Sequence, residues 1–483
     1  MEDQSQMATM IIEGERAGAA SGETYEVFDP ATQEVVDRVP LGGPEDVDRA
    51  ARAAQKAFET WSRLAPAERA RILHRAAAHV HGRVDAIAEL LTREQGKTLR
   101  ESQLEAERFA ENIAWYADLA DKVHGEHVAL ASTKMFGLVV RRPIGVTGAI
   151  VPWNFPLTLA ANKIAPAVAA GNTVVLKPAP TTPLSTIACV EALLEGGLPE
   201  GVVNVVLGGD QTGEALVTHP LVRKIALTGS TPTGKRVMAA AAAGLKKVKL
   251  ELGGSDPCIV LEDADLDAAA SAISVGRFFN CGQACLAVKR LYVHEAVHDG
   301  LLERLTGKAA RLKVGSGMDK ETRMGPMHTQ EQRSLVEAQV EDALAKGARL
   351  AFGGGRPGGP GHEHGNYVNP AILVDVPPGT RMTTEEVFGP ALPVFRIADL
   401  EEGIRLANDS PFGLGSSIWT RDMARAYRAV NELEAGYTWV NALQVAYDEL
   451  PFGGVKESGF GKEHGVEAFN EYTEQKAVVF GNL

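Results

Sequence analysis

A cysteine in the stretch FFNCGQACLAVKR (278–290) is the first candidate for chemistry in this sequence. Cys285 follows a turn that contains Gly282 and Gln283, so its sulfur and its own backbone N–H can face the same space. A thiol nucleophile needs that arrangement, because the amide can then hold the oxyanion that the attack creates. A buried structural cysteine is the commoner state of free cysteine, so the stretch alone leaves both interpretations open.

The composition predicts a soluble globular protein. With 483 residues the chain is long enough for two or three domains and a large core. Hydrophobic residues make up 45% and charged residues 23%, which is ordinary for that class. The net charge of −13, from 49 basic and 62 acidic residues, argues against nucleic acid as a partner.

Cysteine usage and the N-terminus bear on the compartment. Four cysteines are too few for a disulfide framework in a chain of this length, so we expect a reducing compartment. The first residues, MEDQSQMATMIIEGE, lack the basic-then-apolar order of a signal peptide. No apolar run reaches the length of a membrane span. We therefore expect a cytoplasmic protein without a membrane partner.

The N-terminal third is predicted to supply helices and a hairpin. A frayed start and short strands are expected over 1–43, and three or four amphipathic helices over 44–124, where apolar residues recur at three- and four-residue spacing. Residues 127–145 alternate like a hairpin, which is either an oligomerisation arm or an internal hairpin of its own domain. The β-like tail at 471–483 is expected to pair with that hairpin, either within the chain or across a subunit interface.

Residues 145–253 have the pattern of a parallel sheet. Apolar β-rich runs alternate there with helical patterns, and the runs are GVTGAIV (145–151), NTVVLK (172–177), GVVNVVLG (201–208), KIALTG (224–229) and KVKLELGG (247–254). Strands buried on both faces and separated by helices imply parallel βαβ units and a doubly wound sheet. Such a sheet binds ligands at the carboxyl ends of its strands, where Lys177 and Glu251 fall.

The sequence contains no GxGxxG fingerprint for a dinucleotide. GSTPTG (229–234) offers instead a turn with hydroxyls and free N–H groups that enters a helix, and such a turn can seat a phosphate. As a lone signal this motif is weak.

A second α/β unit is predicted over 255–457, with a Gly/Pro-rich surface loop at 353–366. His362 and His364 in that loop could ligate a metal, but a solvated loop is the favoured interpretation. We therefore predict no metal site.

Seven motifs occur in order along the chain: PWNFP, GNTVVLKP, TGSTPTG, LELGGSDP, FFNCGQAC, EEVFGP and PFGGVKESGFG. With them the chain resembles the hydrolytic, NAD(P)-dependent branch of the aldehyde dehydrogenase superfamily along essentially its whole length. The resemblance implies an α/β fold in three parts that forms a homodimer or homotetramer. The parts are a parallel doubly wound cofactor-binding domain (1–123 and 146–253), a second α/β catalytic domain (254–457) and a small β oligomerisation element (124–145 and 470–483).

The resemblance also implies catalytic roles. Cys285 matches the nucleophile, whose thiolate forms a thiohemiacetal with the aldehyde, and Asn154 matches the side-chain donor to the oxyanion. Hydride transfer then leaves a thioester, and Glu251 matches the base that activates water for deacylation. Lys163 and Glu463 match a proton-relay pair behind that base.

Contacts to NAD or NADP are implied at eleven positions. They are Val151, Trp153, Lys177, Ala179, Pro180, Gly209, Gly213, Gly229, Ser230, Glu386 and Phe388. Lys177 matches the adenosine-ribose contact, Ser230 the pyrophosphate contact and Glu386 the ligand of the nicotinamide ribose. NAD-preferring members often carry a glutamate where this chain has Pro180, so we expect NADP to be accepted as well as NAD.

The substrate pocket is implied to include Phe155, Asn162, Phe279 and Phe452. Succinate-semialdehyde dehydrogenases of the main type carry an arginine at the place of Phe279 and another at that of Asn162. Without either cation, a dicarboxylic semialdehyde loses its obvious anchor, and aromatic walls favour an aliphatic or aromatic aldehyde. A semialdehyde remains the alternative substrate, with Arg290 as a possible cation from elsewhere.

The catalytic residues that the resemblance implies also bear on two other functions of the same fold. An inactive scaffold or binding member would be expected to lack one of the three groups at 154, 251 and 285, and all are present. A CoA-acylating member has no need of the base, so Glu251 favours hydrolysis. Cys281 is interpreted as a pocket residue, with a resolving thiol that protects Cys285 as the alternative.

Overall fold

The computed structural model describes residues 8–132 and 134–481. The frayed start expected at 1–7 and the last two residues of the tail lie outside the described residues. The described part of 1–43 contains four short strands, and the region 44–124 contains four helices, in agreement with the predicted pattern.

The strands of the described chain are β1 (Met10–Ile12), β2 (Glu15–Ala17), β3 (Thr24–Phe28), β4 (Val35–Pro40), β5 (Glu126–Ala129), β6 (Met135–Pro143), β7 (Val146–Ile150), β8 (Thr173–Lys177), β9 (Val203–Val205), β10 (Val222–Thr228), β11 (Lys247–Glu251), β12 (Pro257–Val260), β13 (Arg290–His294), β14 (Arg349–Gly353), β15 (Ala371–Val374), β16 (Ala391–Ile397), β17 (Phe412–Gly413), β18 (Gly415–Trp419), β19 (Tyr437–Val440), β20 (Val455–Lys456), β21 (Gly459–Phe460) and β22 (Thr473–Gly481).

The α-helices are α1 (Pro44–Trp61), α2 (Pro66–His81), α3 (Val84–Gln95), α4 (Leu99–Leu119), α5 (Pro156–Ala169), α6 (Leu184–Glu195), α7 (Asp210–Thr218), α8 (Thr231–Ala242), α9 (Leu266–Phe278), α10 (His298–Ala309), α11 (Gln330–Ala345), α12 (Arg381–Thr384), α13 (Leu400–Asn408), α14 (Met423–Glu432) and α15 (Gly465–Glu471). A 3₁₀ turn, Phe279–Gly282, follows α9.

The first sheet has the order β2-β1-β9-β8-β7-β10-β11-β21. Its central strands β7 to β11 pair in parallel, as the apolar runs of 145–253 predicted. All residues of β8 are buried because helices α1 and α5 pack against it. This sheet and its helices bury the larger of the apolar cores. The predicted α/β fold class is confirmed.

The second sheet has the order β14-β15-β16-β13-β12-β18-β19. All of its neighbours pair in parallel except β14 and β15, which are antiparallel. Helices α9 and α10 pack on each other and share the second large core with strands β12, β13, β15 and β16. The nucleophile stretch therefore lies between α9 and β13 of this unit.

The predicted hairpin and tail form a third, small antiparallel sheet of order β22-β6-β5. Strand β22 pairs with β6 from Thr473 opposite Pro143 to Gly481 opposite Met135, so the expected pairing is confirmed and lies within one chain. Phe136 and Phe480 stack on this sheet with ring centroids 4.9 Å apart, yet they are 39% and 37% exposed.

A single buried asparagine joins the first sheet to the small one. Asn172 accepts the N–H groups of Ile144 (2.7 Å) and Gly145 (3.0 Å) and donates to the carbonyls of Ala167 (3.0 Å) and Tyr472 (2.8 Å). Its side chain thus fixes the end of β6, the start of β7 and the start of β22 together.

We predict that Asn172→Ala lowers the apparent Tm by about 5 °C or more, because each buried group left unpaired costs about 1–3 kcal/mol. Asn431→Ala is the matched control, since its exposed side chain donates only to the carbonyl of Tyr427. Thermal unfolding followed by circular dichroism measures both. Equal Tm values for the two variants would contradict the assigned role of Asn172.

Candidate active site

A strained turn presents the candidate nucleophile. Asn280 (φ 50°), Cys281 (φ 54°) and Gly282 (φ 71°) have left-handed backbone angles in succession, so the chain reverses sharply before Cys285. Asparagine and glycine accept this region readily, whereas Cys281 carries a cost of about 1–2 kcal/mol. At Gly282 a Cβ would lie 2.4 Å from the carbonyl oxygen of Gly389, so only glycine fits there.

Asn154 lies against this turn from the loop between β7 and α5. Its Nδ2 donates to the carbonyl of Gln283 (3.1 Å), and its own carbonyl accepts Nδ2 of Asn280 (2.9 Å). A carboxamide has two N–H donors, so one remains for a ligand oxygen. The structure therefore brings the predicted oxyanion donor to the nucleophile loop.

Glu251 ends β11 and is 2% exposed. Neither of its carboxylate oxygens has a hydrogen-bond partner among the described residues. Burial and then the negative charge of Glu463 raise the pKa of Glu251 to about 8, and Lys163 partly offsets this. A buried carboxylate without a partner is destabilising, so its presence beside a thiol marks a site of chemistry.

Cys285 is partly exposed, unlike the other cysteines of the described chain. Its side chain packs beside the apolar cluster of Leu414, Trp439 and Phe452. Burial of the sulfur and then the charge of Glu251 raise the pKa of the Cys285 thiol, while the charge of Lys289 lowers it. The thiol and the Glu251 carboxylate are therefore electrostatic neighbours.

Lys163 and Glu463 form a buried ion pair at 2.7 Å. Lys163 also donates to Oγ1 of Thr228 (2.6 Å), and Lys249 approaches the same carboxylate oxygen at 3.4 Å. Burial alone would raise the pKa of Glu463, but the charges of Lys163 and Lys249 outweigh it and hold the pKa well below its usual range. The carboxylate of Glu463 is thus ionised and raises the pKa of Glu251.

Asn162 is held by this ion pair. Its Nδ2 donates to Oε2 of Glu463 (2.9 Å) and lies 3.2 Å from Nε2 of His464. The side chain is 3% exposed. Its contacts are therefore with Glu463 and His464, and its place in the substrate pocket stays a prediction.

The carboxyl end of the first sheet supplies a surface that fits a dinucleotide. Lys177 ends β8, and its side chain lies over Gly213, where a Cβ would be 3.7 Å from Cδ and Cε of the lysine. The amine donates to the carbonyl of Pro178 (3.3 Å), and burial lowers its pKa to about 8. A Cβ on Gly209 would meet nothing within 4 Å, so the space beside it is open.

A helix N-terminus completes that surface. Ser230 is the exposed N-cap of α8, and its Oγ accepts the N–H of Thr233 (3.4 Å). The N–H of Gly229 donates to the carbonyl of Glu251 (3.0 Å), which links the helix start to the candidate base. An exposed helix N-terminus with a hydroxyl suits a pyrophosphate.

The remaining predicted cofactor contacts near this edge are backbone positions. Val151 donates its N–H to the carbonyl of Lys177 (3.2 Å), and Ala179 accepts the N–H of Thr182 (3.2 Å). Pro180 is partly exposed directly after Ala179.

Glu386 and two aromatic rings form the other side of the predicted cofactor surface. Glu386 accepts the N–H of Gly254 (3.2 Å) and Nζ of Lys289 (2.8 Å), and its side chain is 22% exposed. Phe388 meets Trp153 edge to face at 5.6 Å. The structure thus brings Glu386, Phe388 and Trp153 close to the nucleophile loop.

Three aromatic residues predicted for the substrate pocket lie on the nucleophile loop or pack against it or against Cys285. Phe155 and Phe279 stack with centroids 6.1 Å apart and planes 5° apart, and Phe452 packs in the cluster that touches Cys285. Arg290 does not supply a free cation here, because its guanidinium donates to the carbonyls of Ser255 (2.9 Å) and Ala407 (2.9 Å).

Sequence reasoning missed a buried support under Asn154. Lys97, whose side chain is fully buried, donates to the carbonyl of Asn154 (2.8 Å) and pairs with Glu105. Glu105 in turn accepts the N–H of Leu157 (2.9 Å), and Glu101 accepts the N–H of Asn280 (2.7 Å). In the sequence these residues look like the polar face of a helix. The only signal for an ion pair is the four-residue spacing of Lys97, Glu101 and Glu105.

Metal ions and membranes are the other partners to consider. Among the residues that the structure describes, no group of His, Cys, Asp and Glu side chains could hold a metal ion. His362 contacts the carbonyl of Val314 (3.1 Å) and the ring of Tyr367. In the described part of the chain, none of the helices is long and apolar enough to cross a membrane.

Comparisons with known proteins find similar chains, among them named aldehyde dehydrogenases. The profile of the aldehyde dehydrogenase family matches residues 17–478. The chain is 41% identical to the betaine aldehyde dehydrogenase of Bacillus subtilis strain 168, over 97% of this chain and 96% of that one. It is 39% identical to the NADP-dependent succinate-semialdehyde dehydrogenase of Escherichia coli K12, over 98% and 97%. A solved betaine aldehyde dehydrogenase of Staphylococcus aureus, in complex with NAD⁺, superposes with a TM-score of 0.95 at 35% identity, covering 98% and 94%.

We predict that iodoacetamide alkylates Cys285 at least about tenfold faster than the other three cysteines, since thiol reactivity requires exposure. Cys189, Cys258 and Cys281 are at most 1% exposed. Peptide mass spectrometry of the folded protein measures the four rates, and the same reaction in urea is the control in which the differences should vanish. Equal rates in the folded protein would contradict this geometry.

Proposed function

The chain belongs to the aldehyde dehydrogenase family, and from that premise we propose that Cys285, Asn154 and Glu251 carry out the NAD(P)-dependent oxidation of an aldehyde to a carboxylic acid. The observation that carries this proposal is the meeting of three groups. A partly exposed thiol lies beside a buried carboxylate without a hydrogen-bond partner, and a carboxamide with a free donor contacts the same loop as the thiol.

The first half of the reaction is an attack on the carbonyl carbon. The Cys285 thiolate adds to the aldehyde and forms a thiohemiacetal, while Nδ2 of Asn154 and the N–H of Cys285 hold the developing alkoxide. NAD⁺ or NADP⁺, held by the residues named below, would supply the hydride acceptor, and loss of the hydride from the thiohemiacetal carbon would leave a thioester on Cys285. Because a free amide donor is already in place at the start, little reorganisation is needed as charge develops.

The second half is hydrolysis of the thioester. Glu251 takes a proton from water, which then attacks the acyl carbon and releases the acid. Its pKa of about 8 lies near neutral pH, which suits a general base. Burial is the main cause of that raised pKa, and the charges of the ion pair Lys163 and Glu463 adjust it. We assign this pair the relay of the proton.

For the cofactor we propose NAD and NADP both. Lys177 and Ser230 would hold the adenosine ribose and the pyrophosphate, while Glu386 would hold the nicotinamide ribose. Pro180 places no negative charge near the position of a 2′-phosphate. Three features support this proposal: the side chain of Lys177 lies over Gly213, the space at Gly209 is open, and the N-cap Ser230 is exposed.

For the substrate we propose an aliphatic or aromatic aldehyde. The stacked pair Phe155 and Phe279 and the cluster around Phe452 favour an apolar chain or ring. Arg290 is committed to backbone carbonyls and cannot anchor a carboxylate. The named relatives differ in the charge of their substrates, since they include betaine aldehyde and succinate-semialdehyde dehydrogenases, so a semialdehyde is the alternative.

For the assembly we propose the three-part division with 1–123 and 146–253 binding the cofactor, 254–457 carrying the nucleophile and 124–145 with 470–483 forming the subunit contact. The support for the last part is the exposed apolar pair Phe136 and Phe480 on the small sheet. We also propose that the protein forms a homodimer or homotetramer and is located in the cytoplasm.

A panel of hexanal, benzaldehyde, betaine aldehyde and succinate semialdehyde, assayed with NAD and NADP, tests substrate and cofactor together. We predict that hexanal or benzaldehyde has the highest kcat/KM and that NADP supports the reaction within a thousandfold of NAD. Succinate semialdehyde ahead by orders of magnitude would contradict the aromatic-pocket argument. A preference for NAD above a thousandfold would contradict the argument from Pro180.

The pH dependence of deacylation tests the base. A carboxylate with a pKa of about 8 must lose its proton to act, so the turnover rate after the first burst of NADH should rise with pH and level off above about 8. In Glu251→Gln that rate should fall about a hundredfold or more and lose the inflection. A wild-type profile that is flat from pH 6 to 9 would rule Glu251 out as the base.

A further inference from the structure

Lys289 is a buried lysine that the proposed reaction does not yet use. It follows Cys285 by four residues in a non-helical segment, and its side chain is fully buried. Taking an ammonium group out of water costs several kcal/mol unless partners compensate for the lost hydration. Its position therefore needs a reason, and the reason lies in its partners.

The ammonium group joins two loops that meet at the site. It donates to the backbone carbonyl of Cys285 and to Oε1 of Glu386 (2.8 Å). It also lies 5.8 Å from the ring centroid of Phe388, within the range of a cation–π contact. A lysine has three N–H donors, and two of them are used by these oxygen acceptors.

The charges around the thiol give this lysine a distinct effect. Glu251 and Asp256 are the acidic groups that face Cys285, and both raise the pKa of its thiol in addition to burial. Lys289 acts in the opposite direction. Burial raises the pKa of Asp256 to about 6, and the charge of Lys289 opposes that rise.

We infer that Lys289 is a positioning residue whose buried ammonium ties the nucleophile loop to Glu386 and supplies the positive charge that favours the Cys285 thiolate. This inference rests on the proposed roles of Cys285 and Glu386. The residue that would orient the nicotinamide ribose and the residue that attacks the aldehyde are thereby held by one side chain. A merely structural ion pair would hold the loops without any effect on the thiolate.

The test is the rate at which iodoacetamide alkylates Cys285, measured against pH without cofactor or aldehyde. In Lys289→Met and Lys289→Gln the midpoint pH of thiolate formation should rise by about one unit. At a fixed pH below the midpoint, the thiolate fraction then falls about tenfold. A more basic thiolate is more nucleophilic, so part of that loss is offset and the rate should fall about threefold to tenfold. Lys313→Met is the control, because Lys313 pairs with Asp319 at the surface.

The two variants share the loss of the charge but keep different other properties of the lysine. Methionine keeps the length of the side chain, while glutamine keeps a hydrogen-bond donor, and both remove the charge. Alkylation slowed in both, with Tm close to that of the wild type, supports the inference. A wild-type alkylation profile in either variant overturns it, since the charge would then be dispensable.

A binding measurement addresses the second half of the inference. Because Glu386 would lose its fixed orientation, the Kd for NAD⁺, measured by fluorescence quenching in the absence of aldehyde, should rise in both variants. An unchanged Kd overturns the coupling to Glu386. Failure of the proposed function would look different, because Cys285→Ala would then still oxidise aldehydes whatever the alkylation data show.

Discussion

The site depends on one backbone carbonyl, that of Asn154. Nδ2 of Asn280 reaches it from the nucleophile loop of the second unit, and the buried amine of Lys97 reaches it from the helical region. In return, Nδ2 of Asn154 donates to the carbonyl of Gln283. These hydrogen bonds fasten a loop of the first sheet to a strained turn of the second unit. Because the proposed oxyanion donor and the thiol lie on different units, their relative position depends on this contact.

Three buried lysines of the site are paired, whereas Glu251 is not. The buried lysines 97, 163 and 289 each pair with a carboxylate, which offsets the cost of burying them. The oxygens of Glu251 have no hydrogen-bond partner among the described residues, and its pKa lies near 8. A group left unpaired in this way is available for a proton from water, so the arrangement gives up stability where a base is needed.

The parallel sheets and the chemical groups could be predicted from the sequence, and the contacts that orient them could not. Continuous apolar runs such as NTVVLK mark a strand buried on both faces, and Glu251 falls at a strand end by the same pattern. Nothing local marks Lys97 or Lys289 as buried, because a lysine in an amphipathic stretch is usually solvated. The direction of Asn162 depends on Glu463, which is 301 residues away in sequence, so only the folded chain reveals that contact.

The central claim is that Cys285 carries the acyl group and that Glu251 releases it. Glu251→Gln protein mixed with NAD⁺ and hexanal, quenched in acid after one burst of NADH and digested, gives peptides whose masses locate the acyl group. The account predicts close to one hexanoyl group per chain on the peptide of Cys285, and none in the wild type at steady state beyond a small fraction. A burst of NADH with an unmodified Cys285, or with the acyl group on another residue, would contradict it.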